Sequence, residues 1–133
     1  MFGKMRVKCP KCGNVVDITD YIPCSKCGAQ LGPVGGAIQV YRMGNPIGIA
    51  AGFGIYIDGQ PYGHLGNAES VCISVPFGTH TIHMTQGMNR KCTDLTVTLT
   101  PQAPIAYMKA HIRMGFWSNT IVIEPSTPDQ MPR

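Results

Sequence analysis

The sequence has no long apolar run. Its longest, from Ile47 to Ile57, is interrupted by Gly48, Gly52 and Gly54 and ends in Asp58-Gly59. That falls short of the roughly 18 or more apolar residues a membrane helix needs, so the run reads as a glycine-rich connection entering a buried strand. The opening residues, Met-Phe-Gly-Lys-Met-Arg-Val-Lys, carry charge but no apolar h-region of an export signal, which makes a cytoplasmic location the expectation. Helical periodicity is missing too. So are the usual catalytic patterns: His64, His80, His83 and His111 are dispersed, with no H-x-x-x-H or H-E-x-x-H among them. His80 and His83 fall on opposite faces of one strand and are poorly placed to share an ion. Asp58 belongs to a turn, and Glu69, Asp94, Glu124 and Asp129 are spread over separate segments, with nothing around them that suggests a paired-carboxylate site. These absences argue against an enzyme.

What is present is concentrated at the amino-terminal end. Cys9-Pro-Lys-Cys12-Gly13 and Cys24-Ser-Lys-Cys27-Gly28 are two C-x-x-C-G knuckles separated by eleven residues, the spacing of a tetrathiolate zinc site. In such a knuckle the backbone N–H groups after the first cysteine point back at its sulfur, and the glycine after the second takes the positive φ of the bend. Gly13 and Gly28 stand at those positions. Four cysteine ligands close the tetrahedral shell, so the ion, Zn²⁺, is a folding device. The segment has chiefly Val7, Val15, Val16, Ile18, Tyr21 and Ile22 as sizeable apolar residues, too few for a core of its own. Rubredoxin-like iron uses the same knuckles, but with longer loops around an aromatic core, whereas only Tyr21 lies between the knuckles here. C-x-x-C pairs without an export signal favour metal over disulfides. Cys72 and Cys92 are left over. Cys72 sits on the strand face opposite Val71, Ile73 and Val75, either as a small residue against a second layer or as a surface thiol.

The formal net charge of +4 invites a nucleic-acid reading, since Lys4, Arg6, Lys8, Lys11 and Lys26 face only Asp17 and Asp20 in the ribbon. Four thiolates on one divalent ion carry a net negative charge that offsets most of this excess. The rest of the chain holds six basic and five acidic residues, with no clear basic face interleaved with aromatics. Nucleic-acid binding is therefore the alternative, and an iron or thiol redox protein a weaker one.

From residue 37 onward the dominant period is two. Val71, Ile73 and Val75 alternate with Ser70, Cys72 and Ser74, and Leu95, Val97 and Leu99 alternate with Thr96, Thr98 and Thr100. Further strands are expected at 37–43, 54–58, 62–65, 79–84, 105–113 and 120–124. Asp58-Gly59 suits a tight hairpin, Pro76-Phe77-Gly78 a turn between strands. The organisation that follows is all-β: a zinc ribbon over 1–31, a Gly-Pro-Val-Gly-Gly linker over 32–36, an antiparallel two-sheet sandwich of about seven strands over 37–124, and a disordered proline-rich tail over 125–133. The expected core is Val40, Ile55, Ile57, Val71, Ile73, Val75, Ile82, Leu95, Val97, Leu99 and Ile121.

The run Ile55-Tyr-Ile-Asp-Gly-Gln-Pro-Tyr-Gly-His-Leu65, followed by Val71-Cys-Ile-Ser-Val-Pro-Phe-Gly-Thr-His80-Thr-Ile, resembles PEGA-like and related bacterial β-sandwich domains, some of which carry an amino-terminal zinc ribbon. The resemblance spans about 85 residues, rests on turn and core positions, and implies an accessory or interaction role with no catalytic residues. Adjacent aromatics at Phe116 and Trp117, in a turn, are the candidate partner-binding residues, with a core cap as the other use of Trp117. The expected partner is a protein or a second copy of the chain, met through sheet edges, end loops or that turn.

Overall fold

The computed structural model describes residues 4–42, 52–66, 69–86, 92–114 and 119–127. Among these there is no helix. In chain order the strands are β1 (Met5–Lys8), β2 (Val15–Ile18), β3 (Ile22–Pro23), β4 (Gln30–Leu31), β5 (Gly36–Arg42), β6 (Phe53–Ile57), β7 (Gln60–Leu65), β8 (Ser70–Val75), β9 (Gly78–Gln86), β10 (Cys92–Thr93), β11 (Leu95–Leu99), β12 (Ile105–Met114) and β13 (Asn119–Pro125). They form a seven-stranded sheet in the order β10-β13-β12-β5-β8-β1-β2, a four-stranded sheet β11-β9-β6-β7, and the small pair β3-β4 in the ribbon.

The inward-facing alternate residues of the two larger sheets make one core. Val40, Ile55, Ile57, Ile73, Val75, Ile82, Leu99 and Ile121 are buried in it as expected, while Val71, Leu95 and Val97 are only partly covered at its margin. Ile38, Phe53, Leu65, Met84, Met108, Ala110, Ile112 and Ile123 complete it. The hairpin at Asp58-Gly59 is the tight one expected: Ile57 pairs with Gln60, and the two turn residues have φ of 54° and 81°.

The sandwich is not purely antiparallel. β5 runs parallel to β12, β10 to β13 and β1 to β8. Between β5 and β12 the chain passes back and forth between the two sheets, adding β8 and β10 to the larger one and β6, β7, β9 and β11 to the smaller, before β12 enters beside β5 in the same sense.

The ribbon continues the sandwich sheet. β1 pairs antiparallel with β2 on one side and sits beside β8 on the other, with Arg6 opposite Ile73. The linker covers a position of β8 that alternation alone assigns to solvent. Ser74, expected to point outward, is 3 % exposed, its hydroxyl accepting from the Val34 N–H at 2.7 Å where the linker lies across β8. Gly36, placed in the linker by composition, already opens β5. At the other end, ladder pairing reaches Pro125, opposite Met108, and Ser126 N–H donates to the Tyr107 carbonyl at 2.8 Å. Residues 128–133 of the expected tail lie outside the described residues.

Candidate metal centre

The two knuckles have the same backbone. Gly13 N–H donates to the Cys9 carbonyl at 3.0 Å and Gly28 N–H to that of Cys24 at 2.8 Å; Cys9 N–H reaches Asn14 O and Cys24 N–H reaches Ala29 O, both at 2.7 Å. Gly13 and Gly28 take φ of 75° and 78°, conformations that a residue with a Cβ adopts only under strain. These turns bring the four sulfurs together so that all lie within 4.8 Å of one another. Cys9 and Cys27 are 3.4 Å apart, Cys12 and Cys24 3.6 Å, and none is in a disulfide. Around a tetrahedral ion with metal–sulfur bonds of about 2.3 Å, ligand sulfurs are about 3.8 Å apart. The cluster can hold a metal ion with little rearrangement.

Its electrostatics ask for one. The Cys12 N–H leads in lowering the Cys9 thiol, and the N–H groups of Lys26 and Cys27 bring the Cys24 thiol down to about 6. Cys27 goes the other way. The Ala29 N–H pulls it down, but the Cys9 sulfur, burial and the sulfurs of Cys12 and Cys24 together push it up to about 12. A cation between the sulfurs would offset that mutual repulsion. Cys9 and Cys24 are buried, Cys12 and Cys27 exposed.

Three basic residues of the ribbon, Lys4, Arg6 and Lys8, hold structural contacts. Arg6 reaches Asp17 at 3.2 Å and donates to the Tyr62 and His64 carbonyls at 3.0 and 2.9 Å. Those carbonyls flank Gly63, whose φ of 85° marks an irregularity in the pairing of β6 and β7. Lys8 donates to Pro61 O at 2.9 Å and lies 4.9 Å over the Tyr62 ring. Lys4 is 3.8 Å from Asp17. Ribbon and sandwich are thus clasped through β1 and β7.

Two histidine pairs were not apparent from the sequence. His80 Nδ1 is 2.7 Å from Asp58 Oδ2 and Nε2 is 2.7 Å from Pro76 O, while Asp58 Oδ1 accepts from Thr81 N–H at 2.9 Å. Two acceptors on one ring favour the doubly protonated form. Burial works against the charge on His80, but the Asp58 and Pro76 hydrogen bonds raise it above its ordinary 6.5. For Asp58 burial is likewise outweighed, by the Thr81 N–H and His80, and its carboxyl falls below the ordinary 3.8. The stability from His80 is therefore full below pH 6.5 and fades as pH rises through the raised folded value; that from Asp58 is full above pH 3.8 and is lost as pH falls through the lowered one. Urea titrations from pH 5.5 to about 8.5 should show the wild type losing more stability than His80→Gln over that range. Parallel losses would mean that the pair does not titrate.

On the opposite face of β9, His83 Nδ1 is 2.7 Å from Asp94 Oδ1, and Cys92 lies beside them, its sulfur accepting from Met84 N–H at 3.4 Å. The β9/β11 ladder, with Leu95 opposite Ile82, would have located Asp94 across from His83 had the register been known. Burial, opposed by the Met84 N–H and reinforced by Asp94, pushes the Cys92 thiol up to about 11. Cys72 is half-buried, and burial raises its thiol as well. His64 and His111 join neither group. Phe116 and Trp117 lie outside the described residues.

Compared with protein-family models, curated proteins and solved structures, the chain has no significant match in any of the three. The class that fold and site define is an all-β protein with a tetracysteine ribbon built into its larger sheet. No described helix is long and apolar enough to cross a membrane.

Proposed function

We propose that this protein is a non-enzymatic interaction module in which Zn²⁺, held by Cys9, Cys12, Cys24 and Cys27, staples a ribbon onto a PEGA-like β-sandwich. The observation that carries this reading is the position of β1, which is a strand of the ribbon and of the seven-stranded sheet at once. An ion with four thiolate ligands has no position for substrate, and here it fixes a strand that the sandwich sheet uses. An all-sulfur tetrahedral set suits zinc.

The partner is a protein, and the surface that suits it best is the groove between ribbon and sandwich. This groove has a volume of about 570 Å³ and is lined by Tyr21, Leu31, Pro33, Val34, Tyr62 and Pro76 among others. Tyr21 and Val34 are 60 % and 49 % exposed, an apolar pair that solvent alone does not favour. Arg6 and Lys8, engaged by β7 and Asp17, support a protein partner over a nucleic acid. The test is affinity capture from source cells with the full chain and with Tyr21→Ser/Val34→Asp. The variant should keep its zinc and its fold and lose a protein that the wild type retains. An identical captured set for both chains would overturn the assignment of the groove, and salt-sensitive retention of DNA or RNA by both would turn the reading to nucleic acid.

A further inference from the structure

We propose that His83, Cys92 and Asp94 form a second metal site, independent of the ribbon and open where the ribbon is closed. One ligand atom from each residue lies within 4.8 Å of the other two. They come from separate places in the fold: His83 from β9 in the four-stranded sheet, Cys92 from β10 at the edge of the seven-stranded sheet, and Asp94 from the residue between β10 and β11. An ion here would tie the sheets together at the end of the sandwich remote in sequence from the ribbon.

The donor set is an imidazole nitrogen, a thiolate and a carboxylate oxygen. That mixture suits a borderline divalent ion such as Zn²⁺, and three protein ligands leave the fourth tetrahedral position free. His83 is positioned by the Tyr56 ring, 6.1 Å away between centroids, on the neighbouring strand β6. The Met84 N–H directed at the Cys92 sulfur supplies the kind of backbone hydrogen bond that steadies a ligating thiolate. The 2.7 Å separation of His83 and Asp94 is shorter than the about 3.3 Å expected between nitrogen and oxygen on one tetrahedral zinc. Asp94, whose side chain is 46 % exposed, is free to withdraw by that amount. On binding, the ion takes the place of the Cys92 thiol proton and of the hydrogen bond between His83 and Asp94. His83 and Asp94 also border a cleft of about 450 Å³, with Tyr56, Asp58, Thr81 and Thr85. The fourth position therefore opens onto solvent, where water or a donor atom of a partner completes the shell.

The test uses the full chain with its ribbon saturated by one equivalent of Zn²⁺, titrated with Co²⁺. A second equivalent should bind with the visible bands of a tetrahedral ion and a charge-transfer band from a single thiolate. Cys92→Ser should abolish the charge-transfer band, and His83→Ala and Asp94→Asn should each weaken binding by about tenfold or more. Cys72→Ser should change nothing. A wild type that stops at one ion, or a Cys92→Ser chain that titrates like the wild type, overturns the site without touching the ribbon. If the variants do not fold, alkylation mapping of the wild type decides. Excess Zn²⁺ should slow modification of Cys92 and leave Cys72 unaffected, and equal rates at Cys92 with and without the ion would refute the proposal.

Discussion

A chelator that strips metal from the ribbon at neutral pH should unfold the amino-terminal end and leave the sandwich folded. The buried cluster of the ribbon is Val7, Cys9, Ile18, Cys24 and Leu31, with Met5, Val16 and Ala29 packed at its edge. Two of its members, Cys9 and Cys24, belong to the cysteine cluster. Three buried aliphatic side chains are too few to order a segment of this length by themselves. A structural ion bound by the four thiolates would add on the order of 10 kcal/mol. The sandwich has its own core, built from both larger sheets, and none of its members belongs to the cluster of Cys9, Cys12, Cys24 and Cys27. In a two-dimensional amide spectrum, resonances of 4–31 should collapse on chelation while those of β5 to β13 stay dispersed, and Cys24→Ser should reproduce the collapse. Losing β1 also uncovers the side of β8, an edge that pairs readily with other chains. The metal-free protein should therefore gain mass in light scattering. A ribbon that keeps its dispersed amides without metal would sink the account.

The features legible in the sequence are those set by local chemistry. The knuckles were readable because C-x-x-C-G fixes both the sulfurs and the positive φ of Gly13 and Gly28, and the turn at Asp58-Gly59 because those residue types tolerate φ values others avoid. Alternation located Val71, Ile73 and Val75 on one face of β8. It could not show that the other face was covered as well, because the cover comes from Val34 in the linker, 40 residues away. The parallel pairings of β1 with β8 and β5 with β12 were equally out of reach, since they depend on where the chain returns after crossing between sheets. His83, Cys92 and Asp94 look unrelated until the register of β9 and β11 is known. Arg42 is buried where period-two counting puts it, although its residue type argues against burial. It follows Ile38 and Val40 on the inward face of β5, where a charge is not expected, yet it is 1 % exposed.

Replacing that arginine separates two ways of filling the same space. Its guanidinium carbon lies 3.9 Å from the centroid of the Phe53 ring on β6, and Nη1 donates to the Leu65 carbonyl on β7 at 3.2 Å, so one side chain from the seven-stranded sheet binds two strands of the other. Burial lowers its pKa, and the charge of Glu69 opposes that shift; Arg42 N–H also donates to Glu69 O at 2.9 Å. Arg42→Ala removes the stacked group, opens a cavity against Phe53 and takes a donor from the Leu65 carbonyl. It should cost about 3–5 kcal/mol, read as a lower denaturation midpoint. Arg42→Met fills much of the volume and removes the cost of burying a charge. It should stay within about 1 kcal/mol of the wild type, since apolar replacements of buried charges are often neutral or stabilising. Arg42→Lys keeps the charge but lacks the planar face that stacks on Phe53 and the fork that reaches Leu65, and should fall between the two. If alanine costs no more than a surface substitution, Arg42 does not tie the sheets together. If methionine costs as much as alanine, the hydrogen bond to β7 outweighs the packing on Phe53, and the joint between the sheets is polar.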